Sequence, residues 1–205
     1  ALMLGGNALR GQNLVAAGCI STITGCDLLT ETFPGYMERG VGYPDVTRVP
    51  YFPEPALAFL SQYEAIILAD VQEPVTFFGY PGVDSFLISK DQQKLSICSE
   101  RQNILEVLGY LEDNLKTTSL SKNRRSDLPE PAKPQIPHGS LTAEKACHVL
   151  AALQPEGAII VDEGITSAFP TPIGSVTNLI IVYIADINTG LMLIGLMPLA
   201  LLLFG

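Results

Sequence analysis

The chain has 205 residues, of which 47% are hydrophobic, so it is long enough and apolar enough to bury a core. Its formal net charge is -9 at pH 7, and only 12 residues are Lys or Arg. Because nucleic-acid binding needs clustered basic residues, this composition excludes a nucleic-acid partner. The four cysteines, Cys19, Cys26, Cys98 and Cys147, form no CxxC pair. Their surroundings predict reduced, buried thiols of a cytoplasmic protein rather than disulfides or a zinc site.

The sequence ALMLGGNALRG at the start predicts a short buried strand, a glycine turn and a helix over residues 7–20. It has no initiator Met and no basic segment before a long apolar run, so we expect the interior of a longer protein rather than a signal peptide. The turn does not match the GxGxxG dinucleotide fingerprint, and no acidic residue follows the second strand as that fingerprint requires. The sequence therefore argues against an FAD or adenine-nucleotide site.

Strands and helices go on alternating up to residue 117. The predicted elements are a strand at 26–32, a loop at 34–55, a helix at 54–62, strands at 65–70 and 94–98, and an amphipathic helix at 101–116. Alternation of this kind is typical of the α/β class. We therefore predict a Rossmann-like, doubly wound parallel sheet as a first domain, residues 1–117.

The composition changes after this domain. Residues 118–139 are rich in Ser, Pro and charged residues and have no apolar periodicity, which predicts an exposed linker. Residues 140–205 predict an incomplete second α/β domain. It begins with the helix LTAEKACHVLAAL, for which Ser140 is the predicted N-cap and Glu144 its reciprocal partner. The segment PEGAIIVDEG then predicts a turn, a strand and a strand-end loop.

The order of these segments carries a resemblance. GGNAL, a helix, TETFPGYMERGVGYPDVTRVPYFPE and AIILADVQEPVTFFGYPG resemble the central domain of thiamine diphosphate-dependent enzymes. The resemblance is to the acetolactate synthase large-subunit homologues and the benzoylformate decarboxylase type. It covers residues 2–116 and continues in LTAEKACHVLAALQPEGAIIVDEGITS, which is similar to the start of the family's C-terminal, diphosphate-binding domain.

The resemblance implies a thiamine diphosphate- and Mg²⁺-dependent enzyme that acts on 2-oxo acids, by decarboxylation or by acetolactate-synthase-like carboligation. It also implies a homo-oligomer, a dimer or a tetramer, in the intact enzyme. In that family an N-terminal pyrimidine-binding domain supplies the glutamate that activates the cofactor. No part of this sequence resembles that domain, so we expect no catalytic residue here and no activity from this chain alone. The alternative is a non-catalytic structural or assembly domain.

The strand end in PEGAIIVDEGITS resembles the strand that approaches the cofactor diphosphate. On this match, one side of the diphosphate site is formed by Glu163, Gly164, Ile165, Thr166 and Ser167. Hydroxyls and backbone N–H groups at the end of a parallel strand can donate hydrogen bonds to phosphate oxygens. The residues alone also allow a plainer interpretation, in which Asp162 and Glu163 form a solvated strand end and Thr166 caps a helix.

No metal ligand is predicted. The family's Mg²⁺ ligands come from a GDG segment followed by an Asn, and no GDG occurs in this sequence. Asp186 and Asn188 lie too early and too close together to replace it, since Mg²⁺ needs several well-placed oxygens. His138 and His148 have no partner at ligand spacing, which indicates solvent or core roles.

The tail over residues 179–204 is almost wholly apolar and long enough for a membrane helix. Asp186, Pro198 and the absence of a basic flank argue against a membrane span, since a carboxylate inside a bilayer costs about 2.5–3.5 kcal/mol. Residues 189–200, TGLMLIGLMPLA, resemble instead a glycine-rich turn and buried helix beside the family's cofactor, where Gly190 would contact it. Leu191 and Leu196 stand where the family has glycines.

Three interpretations of this tail therefore stay open. It is a degraded segment of the C-terminal domain, unrelated or erroneous sequence, or a membrane helix. In the last case residues 179–205 contact a membrane, and the protein is membrane-associated rather than cytoplasmic. Whatever its origin, an exposed apolar tail of this length would aggregate or associate with a membrane.

Overall fold

The computed structural model describes residues 1–40, 42–98, 102–117, 135–140, 142–153, 155, 157–159, 179–185 and 192–198. The chain divides into two compact units, Ala1–Ala132 and Lys133–Gly205. The first unit contains β1 (Leu2–Leu4), α1 (Gly11–Thr24), β2 (Leu28–Thr30), β3 (Thr47–Arg48), α2 (Pro53–Leu60), β4 (Ala65–Ala69), β5 (Gln93–Ser96) and α3 (Ile104–Thr117). The second contains α4 (Ala143–Leu153), β6 (Leu179–Ala185) and β7 (Met192–Pro198).

The first unit is built on a five-stranded sheet in the order β3-β2-β1-β4-β5. Every neighbouring pair is parallel, and Leu2 of β1 is in register with Leu28 of β2 and Ile67 of β4. The chain leaves β1 toward β2 on one side and later returns to β4 on the other. The strand order therefore reverses between β1 and β4, which makes this gap the topological switch point of the sheet.

Both faces of the sheet are covered. Successive side chains of a strand point to opposite faces, and in β1 this sends Leu2 and Leu4 into the core cluster formed with α1 and α3. Met3 lies in the second cluster, with Ala56 and Leu60 of α2. All three β1 side chains are at most 1% exposed. Burial of both faces is the general condition for a parallel sheet, and it confirms the predicted Rossmann-like α/β class.

Two predicted boundaries were wrong. The helix predicted over residues 7–20 is a 3₁₀ turn, Gly6–Leu9, followed by α1. Helix α1 continues to Thr24 because Gly25, in the left-handed conformation with φ 80°, provides its C-terminal stop. The predicted loop over residues 34–55 contains the short edge strand β3 and the first turn of α2. Pro53 fits in that first turn because the N–H groups there have no intrahelical partner, so the missing N–H of proline costs no hydrogen bond.

The structure describes the side chains of three cysteines, Cys19, Cys26 and Cys98, and those of Cys19 and Cys26 are free thiols. They are only partly buried, however, so the prediction of buried thiols was wrong. Cys19 lies on α1 where that helix packs against α3. There burial, followed by the charge of Glu112 and a hydrogen bond to it, raises the pKa of the Cys19 thiol, which favours the protonated, unreactive form.

In the second unit, α4 confirms the helix predicted after residue 140, but its cap differs. Thr142 Oγ1 accepts a hydrogen bond from the Lys145 N–H at 3.2 Å, so the N-cap is Thr142 rather than Ser140. The Ser140 carbonyl is instead held by the Lys145 side chain, whose Nζ donates to it at 3.1 Å.

Strands β6 and β7 pair antiparallel over their full length, from Leu179 opposite Pro198 to Ala185 opposite Met192. The buried helix expected over residues 189–200 is therefore a strand at Met192–Pro198. The β-branched run Ile180, Ile181 and Val182 in β6 favours an extended backbone. Among the described residues, no helix has the length and apolar character needed to cross a membrane.

Candidate functional site

A polar cleft of about 320 Å³ lies at the carboxyl ends of β1 and β4, at the switch point of the sheet. Ligands of open α/β sheets bind at this position. The turn after β1, the residue after β4 and the start of α3 supply its polar wall, made of Asn7, Arg10, Asn13, Asp70, Gln102 and Asn103.

The glycine turn after β1 packs tightly against the segment that follows β4. The Gly5 N–H donates to the Ala69 carbonyl at 3.1 Å. A Cβ on Gly5 would lie 2.7 Å from Val71 Cβ, and one on Gly6 would lie 2.6 Å from Asp70 Oδ2. Gly6 also has a φ of 47°, which disfavours other residues. Both glycines are therefore required by close approach.

Asp70 is the first residue after β4, and it faces this turn. With a φ of 53°, Asp70 is the one residue other than glycine that has a positive φ in the part of the chain that the structure describes. Asp tolerates this region better than most residues do. Its Oδ2 accepts a hydrogen bond from the Asn7 N–H at 2.7 Å. The carboxylate of Asp70 thus accepts the hydrogen bond of one backbone N–H group of the glycine turn, that of Asn7.

A second carboxylate lies at the N-terminus of α1. Glu38 Oε2 accepts a hydrogen bond from the Gly11 N–H at 2.7 Å and another from the Tyr43 hydroxyl at 2.6 Å. The bond from Tyr43, then the bond from Gly11, lower the pKa of Glu38 below its ordinary value. A negative charge is favourable at this end of a helix, where backbone N–H groups are free and the helix dipole is positive.

The remaining polar groups of the cleft are partly engaged with one another. Asn13 Nδ2 donates to the Asn7 carbonyl at 2.8 Å. Asn13 Oδ1 is buried and has no hydrogen-bond partner among the described residues. The Arg10 guanidinium stacks over the Tyr36 ring, 4.4 Å from its centre, a cation–π contact that draws the charge toward the ring.

The start of α3 closes the other side of the cleft. Asn103 caps this helix, because its Oδ1 accepts a hydrogen bond from the Leu105 N–H at 3.1 Å. Cys98 lies just before this segment, and burial, followed by the charge of Asp70, raises the pKa of its thiol. The cleft is therefore a polar, internally bonded surface whose wall carries one carboxylate, Asp70, and one guanidinium, Arg10.

The residues predicted for the diphosphate site, Glu163, Gly164, Ile165, Thr166, Ser167 and Gly190, all lie outside the described residues. Asp162, Asp186 and Asn188 lie outside them as well. His138 and His148 are described, and both are exposed. Within the described ranges, no group of three or more His, Cys, Asp or Glu side chains could hold a metal ion.

Sequence reasoning missed Asp70 and Glu38. The signal for Asp70 was present, because an acidic residue directly follows the strand AIILA beside a strand that ends in Gly-Gly. The carboxyl ends of neighbouring parallel strands meet at one edge, which places the two segments together. Glu38 had no such signal, since it lies in a loop 27 residues from the amide that it caps.

The chain is 37% identical over 171 residues to a protein named "Putative acetolactate synthase large subunit IlvX" from Mycobacterium tuberculosis. The alignment covers 83% of this chain and 32% of that protein, so the chain spans about a third of the length of the curated relative it matches. No protein-family model matches the chain, and no solved structure matches it significantly.

The fold and the switch-point cleft define a Rossmann-like α/β domain. The similarity to the mycobacterial protein supports a relationship between this chain and the thiamine diphosphate enzyme family.

Proposed function

We propose that this chain is the central domain, together with the start of the diphosphate-binding domain, of a thiamine diphosphate- and Mg²⁺-dependent enzyme acting on 2-oxo acids. The reaction is a decarboxylation or an acetolactate-synthase-like carboligation. The observation that carries this proposal is the 37% identity over 171 residues to the acetolactate synthase-like protein. The parallel sheet of the first unit supports it, because it is the architecture expected of such a central domain.

In this proposal the first unit acts as a scaffold. When bound, the cofactor supplies the electron-sink chemistry beside the substrate carbonyl. The chain's own contribution is to line the diphosphate site with Glu163, Gly164, Ile165, Thr166, Ser167 and Gly190, of which Glu163 contributes its backbone and not its carboxylate. The hydroxyls of Thr166 and Ser167 donate to phosphate oxygens, and glycine allows the backbone to approach closely.

The chain by itself is proposed to be inactive. Its sequence contains no GDG segment for the metal, and no residue in it is assigned to activate the cofactor. The active form is a homo-oligomer, a dimer or a tetramer, in the cytoplasm. Catalysis then depends on segments that this sequence does not include.

A chimera tests the proposal. The aligned 171-residue segment of the mycobacterial protein is replaced by the matching segment of this chain. The unmodified mycobacterial protein and the chimera are then assayed for pyruvate and benzoylformate consumption with thiamine diphosphate and Mg²⁺. We expect a folded chimera to keep the parent's reaction. An active parent with a folded but inactive chimera that binds no thiamine diphosphate would contradict the proposal.

Calorimetry on the 205-residue chain tests the claim of inactivity. Thiamine diphosphate and Mg²⁺ are titrated into the purified chain, and the same sample is assayed with pyruvate and benzoylformate. We expect no turnover. Turnover by this chain would refute the assignment of the activating and metal-binding groups to other segments.

An exposed aromatic surface favours a second candidate, a non-catalytic assembly domain. Phe77 contacts the rings of Phe33 and Phe78, with centroids 5.5 Å and 4.8 Å apart. Yet Phe77 is 54% exposed and Phe78 is 56% exposed. Exposed aromatic clusters of this kind are typical of interfaces. Under this alternative, membrane association through residues 179–205 adds a second contact. Binding of the 205-residue chain to lipid vesicles, together with no thiamine diphosphate binding by the chimera, would favour this second candidate.

A further inference from the structure

The glycine turn at the switch point is the place where an α/β sheet of this type receives a phosphate. Free backbone N–H groups after the first strand and at the start of the first helix point toward the ligand, and the helix dipole favours negative charge. In this chain two of those groups belong to Asn7 and Gly11. Each of them already donates to a carboxylate, Asn7 to Asp70 at 2.7 Å and Gly11 to Glu38 at 2.7 Å.

The space in front of the turn is also filled. In a phosphate-binding turn, glycine leaves room for the phosphate to approach the backbone. At Gly6 that room is taken by the Asp70 side chain, since a Cβ there would meet Oδ2 at 2.6 Å and Cγ at 3.1 Å. A phosphate oxygen could not enter without displacing the carboxylate of Asp70.

The charges oppose a phosphate as well. Two carboxylates lie at the donors that would bind it, and like charges repel strongly where protein partly replaces water. The basic residue of the cleft wall, Arg10, is stacked on Tyr36 with its guanidinium 4.4 Å from the ring centre. Attraction from Arg10 would therefore compete with that contact.

We infer that Asp70, in the cleft wall, and Glu38, at the N-terminus of α1, act as built-in substitutes for a bound anion and close the glycine turn to phosphate-bearing ligands. The residues at the turn do not fit the phosphates of FAD or of an adenine nucleotide. Asp70 and Glu38 are thus the residues that determine specificity at this site. The inference concerns only the first unit and is independent of the proposed activity.

Binding of ADP to the 205-residue chain tests the inference, with adenosine as the ligand that lacks phosphate. The variants are Asp70→Asn/Glu38→Gln, which removes both charges while keeping acceptors, and Asp70→Gly/Glu38→Gln, which also opens the space before Gly6. Asp84→Asn is the control, because Asp84 is an exposed carboxylate outside the cleft. Affinity is measured by calorimetry, and the site is located from the NMR shifts of the Asn7 and Gly11 amides.

We expect no saturable ADP binding by the native chain or by Asp84→Asn. The Asp70→Gly/Glu38→Gln variant should bind ADP saturably, with a Kd at least about tenfold below the highest ADP concentration at which the native chain shows no binding. The Asn7 and Gly11 amides should shift, and adenosine affinity should not change. Circular dichroism checks that each variant is folded. If Asp70→Gly/Glu38→Gln unfolds, the same ADP titration is made with Asp70→Asn/Glu38→Gln.

Two outcomes would overturn the inference. One is saturable ADP binding by the native chain with shifts at the Asn7 and Gly11 amides. The other is a folded double variant that binds ADP no better than Asp84→Asn does, since the two carboxylates would then not be what keeps phosphate out.

Discussion

The phenol of Tyr63 donates a hydrogen bond to the carboxylate of Asp27 over 3.0 Å. Tyr63 lies between α2 and β4, and Asp27 lies directly before β2. The bond therefore links the segments that precede β2 and β4, at the amino end of the sheet. Burial first, and then the bond to Asp27, raise the pKa of Tyr63 from 10.0 to about 12.

Replacement of Tyr63 by Phe should lower the free energy of unfolding by about 1 kcal/mol at neutral pH, the usual contribution of one such hydrogen bond. Because the folded pKa is raised, this contribution is complete below pH 10.0 and is lost as the pH rises toward about 12. Urea unfolding of the native chain and of Tyr63→Phe, at neutral pH and near the raised pKa of about 12, measures the difference in their free energies of unfolding. Tyr110→Phe is the control, since Tyr110 is 74% exposed. A difference that did not shrink at high pH would contradict this explanation.

Glu38 gives a pH dependence of the opposite sign. Its pKa is lowered from 4.5 by the bonds from Tyr43 and Gly11, so its contribution is present above pH 4.5 and is lost as the pH falls through the lowered value. Glu38→Gln should cost about 1 kcal/mol of stability at neutral pH, because a charge-assisted bond becomes a neutral one.

Unfolding curves of the native chain and Glu38→Gln should converge as the pH drops below 4.5. The exposed Glu64→Gln serves as the control, and its curve should follow that of the native chain throughout. If the Glu38→Gln difference stayed constant in acid, the carboxylate would not be the source of the stability.

The glycine turn predicts a steric effect. Gly5→Ala would place a Cβ 2.7 Å from Val71 Cβ and 2.8 Å from the Asp70 carbonyl oxygen, and a backbone atom cannot easily move away. We expect a loss of about 1–3 kcal/mol in the free energy of unfolding, as for other overpacked sites. Gly35→Ala is the matched control, because nothing lies within 4 Å of its Cβ position. Similar melting temperatures for the two variants would show that the turn is not tightly packed.

The sequence was sufficient for four of the five strands of the sheet, because alternating strands and helices have local signals. Leu2, Met3 and Leu4 form a continuous apolar run, which is typical of a strand buried on both faces. The short edge strand Thr47–Arg48 has no such signal, since both residues are exposed and pairing with β2 alone defines the strand. The cleft was missed although Asp70 directly follows β4, because the contact of Asp70 with Asn7 joins residues 63 positions apart.

The diphosphate site remains a prediction, and its test uses a chimera of the kind described above whose exchanged segment includes residues 163–190 of this chain. Thr166→Val and Ser167→Ala each remove a hydroxyl proposed to donate to a phosphate oxygen. A hydrogen bond to a charged group contributes about 1.5–3 kcal/mol, so each variant should weaken thiamine diphosphate binding by about tenfold or more. Calorimetric titration measures this affinity.

Ser175→Ala is the control, since it removes a hydroxyl outside the proposed loop. The plainer interpretation gives a different result. If Thr166 only caps a helix, Thr166→Val should lower the free energy of unfolding by about 1 kcal/mol and leave the affinity for thiamine diphosphate unchanged. Unchanged affinity in both Thr166→Val and Ser167→Ala would therefore assign this loop to structure rather than to the cofactor, because a hydroxyl bound to phosphate cannot be removed without loss of binding.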